Sequence, residues 1–133
     1  MIVVDASAVV DVIIDGTAHG AAVRTAMSLD ADWVMPAHGP SEAASALRGL
    51  WLARRSSDGD FRAQLTQLAR FEMRLLPIAP LLPRIGELAA NATVYDAAYL
   101  ALAEELGVPL LTTDRKFAGV PGVRAEVKVV ARE

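Results

Sequence analysis

Short apolar runs of β type alternate with longer stretches of helical periodicity along the chain. The run IVV at residues 2–4 is continuously apolar, which is typical of a strand covered on both faces. By the same criteria, strands are predicted at 2–4, 33–36, 74–78, 109–114 and 126–130, the last alternating like an edge strand. Helices are predicted at 5–14, 17–29, 40–55, 60–72, 80–91 and 93–107. Because strands separated by helices need crossover connections, we expect an α/β fold with a mainly parallel sheet and helices on both faces.

Length and composition favour one domain over residues 1–133. Hydrophobic residues make up 53 % of the chain, yet no apolar run approaches the roughly 20 residues that a membrane span needs. The start lacks a basic segment and soon reaches Asp5, which argues against a signal peptide. The chain contains no cysteine, which removes disulfides and thiol nucleophiles and fits a reducing cytoplasm. A net charge of −3 argues against a nucleic-acid binder, although carboxylates gathered around metal ions would lower the formal charge without repelling such a substrate.

The last long helix carries an acid on its apolar side. Thr93 can cap the start of this helix and Gly107 can end it. At 3.6 residues per turn, Asp96 aligns with Tyr99 and Leu100. One interpretation is local, because the helix dipole favours an acid in the first turn by about 0.3–1 kcal/mol. The other is that the carboxylate binds a cation, which needs support from the rest of the chain.

Three further acids stand where a strand ends or where the next helix begins. Asp5 directly follows the run IVV, and Asp114 directly follows the run PLLTT. Glu42 opens the helix after the strand WVMP, and Asp96 opens the helix that leads to Asp114. Ligands of open parallel sheets collect beyond the carboxyl ends of the strands. Because crossover helices run antiparallel to the strands, a helix of roughly four turns that ends at Gly107 also brings Asp96 to this edge, where we expect all four acids to converge.

Glu42 repeats the pattern of Asp96. Its helical stripe contains the small residues Ala46, Gly49 and Ala53, which predicts a close approach of this helix to the sheet and an inward-pointing carboxylate. Four like charges in one pocket need a counter-charge, because each close pair costs about 4 kcal/mol at roughly 4 Å and an effective dielectric near 20. Oxygen-only ligands suit Mg²⁺ or Mn²⁺. A carboxylate cage around one or two such ions can hydrolyse a phosphodiester, since the metal activates water and neutralises charge on the phosphate.

Two hydroxyls accompany these acids as candidate supports. Ser7 lies two residues past Asp5 and can hold the Asp5 carboxylate or a metal-bound water. Thr112 lies two residues before Asp114, on the same predicted strand face, and can act in the same way. The alternative for both hydroxyls is ordinary capping or turn bonding, with Ser7 as a possible cap of the first helix.

Four segments resemble, in this order, the PIN-domain ribonucleases and most closely the VapC-type toxins of type II toxin–antitoxin systems: VVDASAVV, PSEAASALR, YDAAYLALAEELG and LLTTDRKF. The resemblance implies a three-layer α/β/α sandwich with a parallel five-stranded sheet. It maps the family's four acids onto Asp5, Glu42, Asp96 and Asp114, and the Ser/Thr near the last acid onto Thr112. It further implies a Mg²⁺- or Mn²⁺-dependent endoribonuclease that cleaves RNA with a metal-activated water and is inhibited by a cognate antitoxin.

Arg115 and Lys116 are the candidate RNA contacts, because they adjoin the last acid and can bind phosphate. The alternative for them is a solvated, salt-bridged surface. The chain has two histidines, His19 and His38, far apart in sequence. His38 precedes Glu42 by four residues and can approach the site, but loop or surface placement is the simpler expectation for both.

The segment ALRGLWLARR is apolar nearly all round its predicted helix. Leu47, Leu50 and Trp51 share one face, whereas Leu52 lies away from it. A helix with a second apolar side usually meets another protein. With the segment FEMRLL nearby, we interpret this helix as part of a homodimer or antitoxin surface. A fully buried helix in a three-layer fold is the alternative.

Two other functions remain open from the sequence. A haloacid-dehalogenase-like phosphatase also places an Asp after its first strand and needs Mg²⁺. That chemistry needs a second Asp two residues on, where this chain has Ser7, and a Lys after a later strand. The other alternative is a non-catalytic PIN-like scaffold that binds RNA or a protein, against which the presence of all four acids argues.

Overall fold

A parallel sheet of five strands forms the middle of the structure, a computed structural model that describes residues 1–14 and 16–131. The strands are β1 (Ile2–Val4), β2 (Trp33–Pro36), β3 (Met73–Leu76), β4 (Leu110–Thr112) and β5 (Val127–Val129). Their order in the sheet is β3-β2-β1-β4-β5. Val3 pairs with Val34 on one side and with Leu110 on the other, so β1 is the central strand. β5 is an edge strand, as its alternating pattern predicted.

Six α-helices among the described residues connect the strands or cover the sheet. They are α1 (Ala6–Ile13), α2 (Ala18–Ser28), α3 (Gly39–Leu52), α4 (Asp58–Ala69), α5 (Leu82–Leu88) and α6 (Val94–Leu106). Two short 3-10 segments, Ala79–Leu81 and Arg115–Gly119, precede α5 and follow β4. In the part of the chain that the structure describes, no helix is both long and apolar enough to cross a membrane.

The helices form two layers on opposite faces of the sheet. α6 packs on β1, β2 and β4 and pairs with α5, whereas α1 packs on β4 and contacts α2, α3 and α4. Because both faces are covered, β1 is buried along its whole length, with Ile2, Val3 and Val4 each at most 1 % exposed. The α/β/α sandwich with a parallel five-stranded sheet is therefore confirmed.

Every predicted strand and helix is present, but several boundaries differ. The helix predicted at 80–91 divides into a 3-10 turn and the shorter α5. Pro83, which has no backbone N–H, lies in the first turn of α5, where proline is tolerated. α4 begins inside the predicted turn SSDG because the Ser57 hydroxyl accepts the backbone N–H of Asp60 at 3.0 Å and caps the helix.

The carboxyl end of β4 also lies earlier than predicted. The strand expected over 109–114 ends at Thr112. Asp114 instead begins a 3-10 segment, and its Oδ1 accepts the backbone N–H of Lys116 at 3.0 Å. Asp114 therefore lies in a turn beyond the sheet edge and not on the strand itself.

The buried side of α3 is not the side that the sequence indicated. Ala46, Gly49 and Ala53 are exposed, whereas Ala43 and Leu47 are fully buried. The prediction that a stripe of small residues lets this helix approach the sheet is wrong, because α3 packs mainly on α1 and α4.

The apolar face of α3 that carries Trp51 is partly covered by α4. The rings of Trp51 and Phe61 stack with centroids 4.8 Å apart and planes 1° apart, and the Trp51 indole N–H donates to Asp58 at 2.8 Å. Leu52 stays 55 % exposed, and Leu75 on β3 is 46 % exposed. This surface is thus partly an internal helix contact, and its use by a second protein stays a prediction.

α6 has the caps that the sequence indicated at its two ends. The Thr93 hydroxyl accepts the backbone N–H of Asp96 at 3.1 Å. At the other end Gly107 takes a left-handed conformation with φ of 65°, which a side chain would strain. Tyr99 and Leu100 are fully buried. The Thr93 cap therefore fixes Asp96 in the first turn of a helix whose inner side faces the core.

Thr93→Ala should lower the free energy of unfolding by about 1 kcal/mol, because the backbone N–H of Asp96 loses its acceptor at the start of α6. Urea denaturation measures the change. Thr93→Ser should keep the wild-type stability, and Thr66→Ala, at an exposed position within α4, serves as the control. Equal midpoints for Thr93→Ala and Thr66→Ala would show that the cap does not matter.

Candidate metal centre

The order of the strands reverses between β1 and β4. From β1 the chain moves through β2 to β3 on one side of the sheet, and then crosses to β4 and β5 on the other side. Ligands of parallel sheets bind at the carboxyl edge where such a reversal occurs. Asp5 directly follows β1, and Asp114 lies two residues after β4. The topology therefore brings two acids from distant parts of the chain to the same edge.

Asp5 is the most buried of the four predicted metal ligands, with 4 % of its surface exposed. Its Oδ2 accepts hydrogen bonds from Ser7 Oγ and from Thr112 Oγ1, the latter at 2.7 Å. Burial is the main cause that raises the pKa of Asp5 to about 6; the two hydroxyls lower it, and the negative charges of Glu42 and Asp96 raise it. A carboxylate whose charge is disfavoured in this way would be stabilised by a nearby cation.

Ser7 and Thr112 connect the ends of β1 and β4. The backbone N–H of Asp114 donates to Thr112 Oγ1 at 3.0 Å, and that of Thr113 donates to Ser7 Oγ at 3.3 Å. Ser7 does not cap α1, because Asp5 occupies the N-cap position and the Ser7 hydroxyl donates to its carboxylate. The capping prediction is therefore wrong. Both hydroxyls donate to the Asp5 carboxylate, and their role in a metal centre stays a prediction.

Tyr99 holds the second acid, Glu42. Its phenol donates to Glu42 Oε1 at 2.8 Å, and the Tyr99 side chain is fully buried. Burial and the negative charges of Glu42 and Asp5 raise the pKa of Tyr99, so the phenol keeps its proton and stays a donor. This role was not predicted from the sequence. The available signal was that Tyr99 shares the apolar side of α6 with Asp96, where a buried hydroxyl needs a partner.

The two histidines occupy different environments. His38 lies at the N-cap position of α3, with its ring centroid 5.5 Å from that of Tyr95 and 5.3 Å from that of Tyr99. It is thus packed beside the residue that holds the second acid. His19 lies in α2, is 17 % exposed, and places Nε2 at 2.9 Å from Oδ2 of the buried Asp11. Loop or surface placement is therefore wrong for His19.

Lys116 joins the remaining two acids. Its Nζ is 3.0 Å from Asp96 Oδ2 and 3.3 Å from Asp114 Oδ2. The hydrogen bond with Asp96 is the main cause that raises the pKa of Lys116, so the ammonium stays charged. The side chains are 15 % exposed for Asp96, 39 % for Asp114 and 59 % for Lys116. Both predicted RNA contacts are exposed, but Lys116 already binds two acids.

The four predicted acids form a connected group at this edge, but they do not form a complete set of metal ligands. Asp5 lies within electrostatic reach of Glu42 and Asp96, and Lys116 bridges Asp96 to Asp114. Within the described residues, no three His, Cys, Asp or Glu side chains stand close enough to hold one metal ion. The donors nevertheless suit a hard divalent ion in kind, because they are carboxylate and hydroxyl oxygens and a cation already lies between two of them.

Comparison with known proteins identifies the family. A model of the PIN domain matches residues 2–123 of this chain. The chain belongs to the PIN-domain family. One relative in it, ribonuclease VapC12 of Mycobacterium tuberculosis, is 39 % identical over 98 % of this chain and 100 % of its own length. The resemblance to the VapC-type PIN-domain proteins, inferred from four sequence segments, is thereby confirmed.

Solved structures have the same PIN-domain fold. The crystal structure of Mycobacterium tuberculosis VapC20, a sarcin–ricin loop cleaving toxin, matches with a TM-score of 0.70 at 16 % identity, over 94 % of this chain and 98 % of that one. A toxin–antitoxin complex from Klebsiella pneumoniae matches with a TM-score of 0.65 at 18 % identity, over 98 % of both chains. At these identities the likeness shows the fold alone.

Asp5→Asn should stabilise the metal-free protein, because it removes a buried charge that lies near Glu42 and Asp96. The pKa of about 6 in the folded chain lies above the ordinary value of 3.8, so ionised Asp5 lowers stability progressively as the pH rises from 3.8 to about 6. At neutral pH in EDTA, the variant should exceed the wild type in free energy of unfolding by on the order of 1–3 kcal/mol. At a pH below 3.8 the difference should approach zero.

Urea denaturation at several pH values measures this difference. Glu105→Gln removes an exposed acid from α6 and is the matched control, with no expected change. A loss of stability in Asp5→Asn at neutral pH would contradict the electrostatic description of the site.

Proposed function

We propose that this chain is a metal-dependent endoribonuclease that acts as the toxin of a type II toxin–antitoxin pair. The observation that carries the proposal is the bridge formed by Lys116, whose ammonium lies between Asp96 and Asp114 at the edge where Asp5 is buried. Two carboxylates that take up a cation, next to a third whose charge is disfavoured, would be stabilised by a divalent ion. The relative VapC12 is named a ribonuclease, which supports RNA as the substrate.

The proposed ligands of one or two Mg²⁺ or Mn²⁺ ions are the four acids Asp5, Glu42, Asp96 and Asp114. When bound, such ions activate water and neutralise charge on a phosphodiester. The chain's own residues orient the ligands. Ser7 and Thr112 both donate to Oδ2 of Asp5, which leaves Oδ1 for a ligand, and Tyr99 holds one oxygen of Glu42.

RNA would reach the site along the exposed turn after β4. Arg115 is exposed in this turn, next to Asp114 in sequence, and can bind a phosphate that flanks the scissile bond. Because the net charge of the chain is −3, local positive charge and the bound ions have to supply the attraction for the RNA backbone. The affinity for RNA should therefore fall as salt is added.

The proposed partners are a cognate antitoxin and a second copy of the chain, in the cytoplasm. The Klebsiella pneumoniae structure with the same fold is a toxin–antitoxin complex, which supports an antitoxin as partner. Leu52 on α3 and Leu75 on β3 are large exposed apolar residues that suit such contacts.

A non-catalytic scaffold is the second candidate. It is favoured by the observation that no three acids among the described residues stand close enough to hold an ion. Calorimetric titration with Mn²⁺ separates the two functions, since a scaffold should show no carboxylate site. A phosphatase is less well supported, because Ser7 stands where a second Asp would be needed. Hydrolysis of a generic phosphomonoester would indicate this activity.

Asp5→Asn and Asp96→Asn should each lower the rate of RNA cleavage at least about 100-fold, because each removes a negative ligand from the metal centre. Cleavage of a labelled RNA in millimolar Mn²⁺ measures the rate, and circular dichroism checks that both variants stay folded. Glu105→Gln, which removes an exposed acid from the same helix as Asp96, should cleave at the wild-type rate.

Two results would contradict the proposed function. One is full activity in either acid variant. The other is cleavage by the wild type that continues unchanged in EDTA, since the four acids would then have no ion to hold.

A further inference from the structure

Lys116 contacts two acids that are both proposed metal ligands. Arg84 also contacts two acids, Glu87 and Glu104, but neither is one of those ligands. The ammonium of Lys116 contacts two carboxylates on different elements, Asp96 at 3.0 Å in the first turn of α6 and Asp114 at 3.3 Å after β4. One side chain thus compensates two like charges that would otherwise repel each other across the site.

We propose that Lys116 is an internal counter-cation, which holds Asp96 and Asp114 together in the metal-free protein and which a divalent ion must displace to use these two carboxylates. The inference rests on the proposed metal-dependent function and extends it. It makes Lys116 a positioning residue whose ammonium competes with the ion.

The same ammonium excludes a divalent ion from the space that it fills. Nζ lies between the Oδ2 atoms of Asp96 and Asp114, so an ion there would meet a positive charge at contact distance. No three acids of the described residues stand close enough to hold an ion together, so a site that uses three carboxylates requires side chains to move. Departure of Lys116 is the movement that frees two carboxylates at once.

The exposed side chain of Lys116 can move away from the two acids. This side chain is 59 % exposed, and exposed ion pairs weaken when salt screens their charges. The backbone N–H of Lys116 donates separately to Asp114 Oδ1 at 3.0 Å, and this contact does not depend on the ammonium. Asp114 therefore stays oriented when the ammonium moves, so the long side chain can exchange with an ion without unfolding the turn.

The test compares Mn²⁺ affinity in Lys116→Met and Lys128→Met, measured by electron paramagnetic resonance of free Mn²⁺ in the absence of RNA. Lys128 is exposed on β5, so its substitution removes the same charge from another place. Lys116→Met should bind Mn²⁺ roughly fivefold more tightly than Lys128→Met, because no ammonium has to be displaced. Lys116→Arg keeps the positive charge and should bind as weakly as the wild type.

Thermal unfolding in EDTA gives a second measurement that is independent of ion affinity. Lys116→Met should unfold at a lower temperature than Lys128→Met, because two acids are left without their counter-charge. Saturating Mn²⁺ should remove this deficit, since the ion then replaces the ammonium.

The outcomes separate this inference from the proposed function. Equal Mn²⁺ affinity in Lys116→Met and Lys128→Met, with measurable binding in the wild type, would overturn the role of Lys116 alone. An EDTA melting temperature of Lys116→Met equal to or above that of Lys128→Met would also overturn it. Absence of Mn²⁺ binding in every protein would overturn the metal-dependent function and the inference together.

Discussion

Repulsion between carboxylates at one edge of a parallel sheet is the constraint around which this molecule is organised. The order of the strands places Asp5 after the central strand and Asp114 beyond its neighbour, and the crossover helix α6 returns Asp96 to the same edge. The topology fixes the backbone positions of these acids at this edge. Their charges therefore have to be compensated locally, and Lys116 compensates two of them in the metal-free chain.

The buried and the exposed parts of the site differ in how their side chains are held. Asp5 is held by two hydroxyls against the fully buried strand β1, and Glu42 is held by the buried phenol of Tyr99. Lys116, by contrast, is largely exposed and sits on a turn. The raised pKa of Asp5 shows that its anionic form is disfavoured at this fixed position. A bound cation would therefore stabilise the ionised carboxylate.

The fold was predictable from sequence because its signals are local. Continuous apolar runs mark buried strands, and Thr93 and Gly107 mark the ends of α6. The edge position of Asp5 and Asp114 follows from the parallel sheet, and that of Asp96 follows from the length and direction of α6. Partners distant in sequence were not predictable. The contact between Tyr99 and Glu42 spans 57 residues. The apolar side of α6 shows that the Tyr99 phenol needs a partner, but it does not show which residue that partner is. The packing of α3 on α4 was also not predictable, because the sequence of a helix that is apolar on two sides does not determine which side faces the sheet.

We propose that these acids together form a site for a divalent ion. A crystal structure of the wild type grown with Mn²⁺, with anomalous scattering recorded at the manganese edge, shows whether an ion binds there. We expect an anomalous peak bounded by the carboxylates of Asp5, Asp96 and Asp114, with the Lys116 ammonium withdrawn from between the last two. A map without a peak at this edge, or with Lys116 still bridging both acids beside a bound ion, would contradict it.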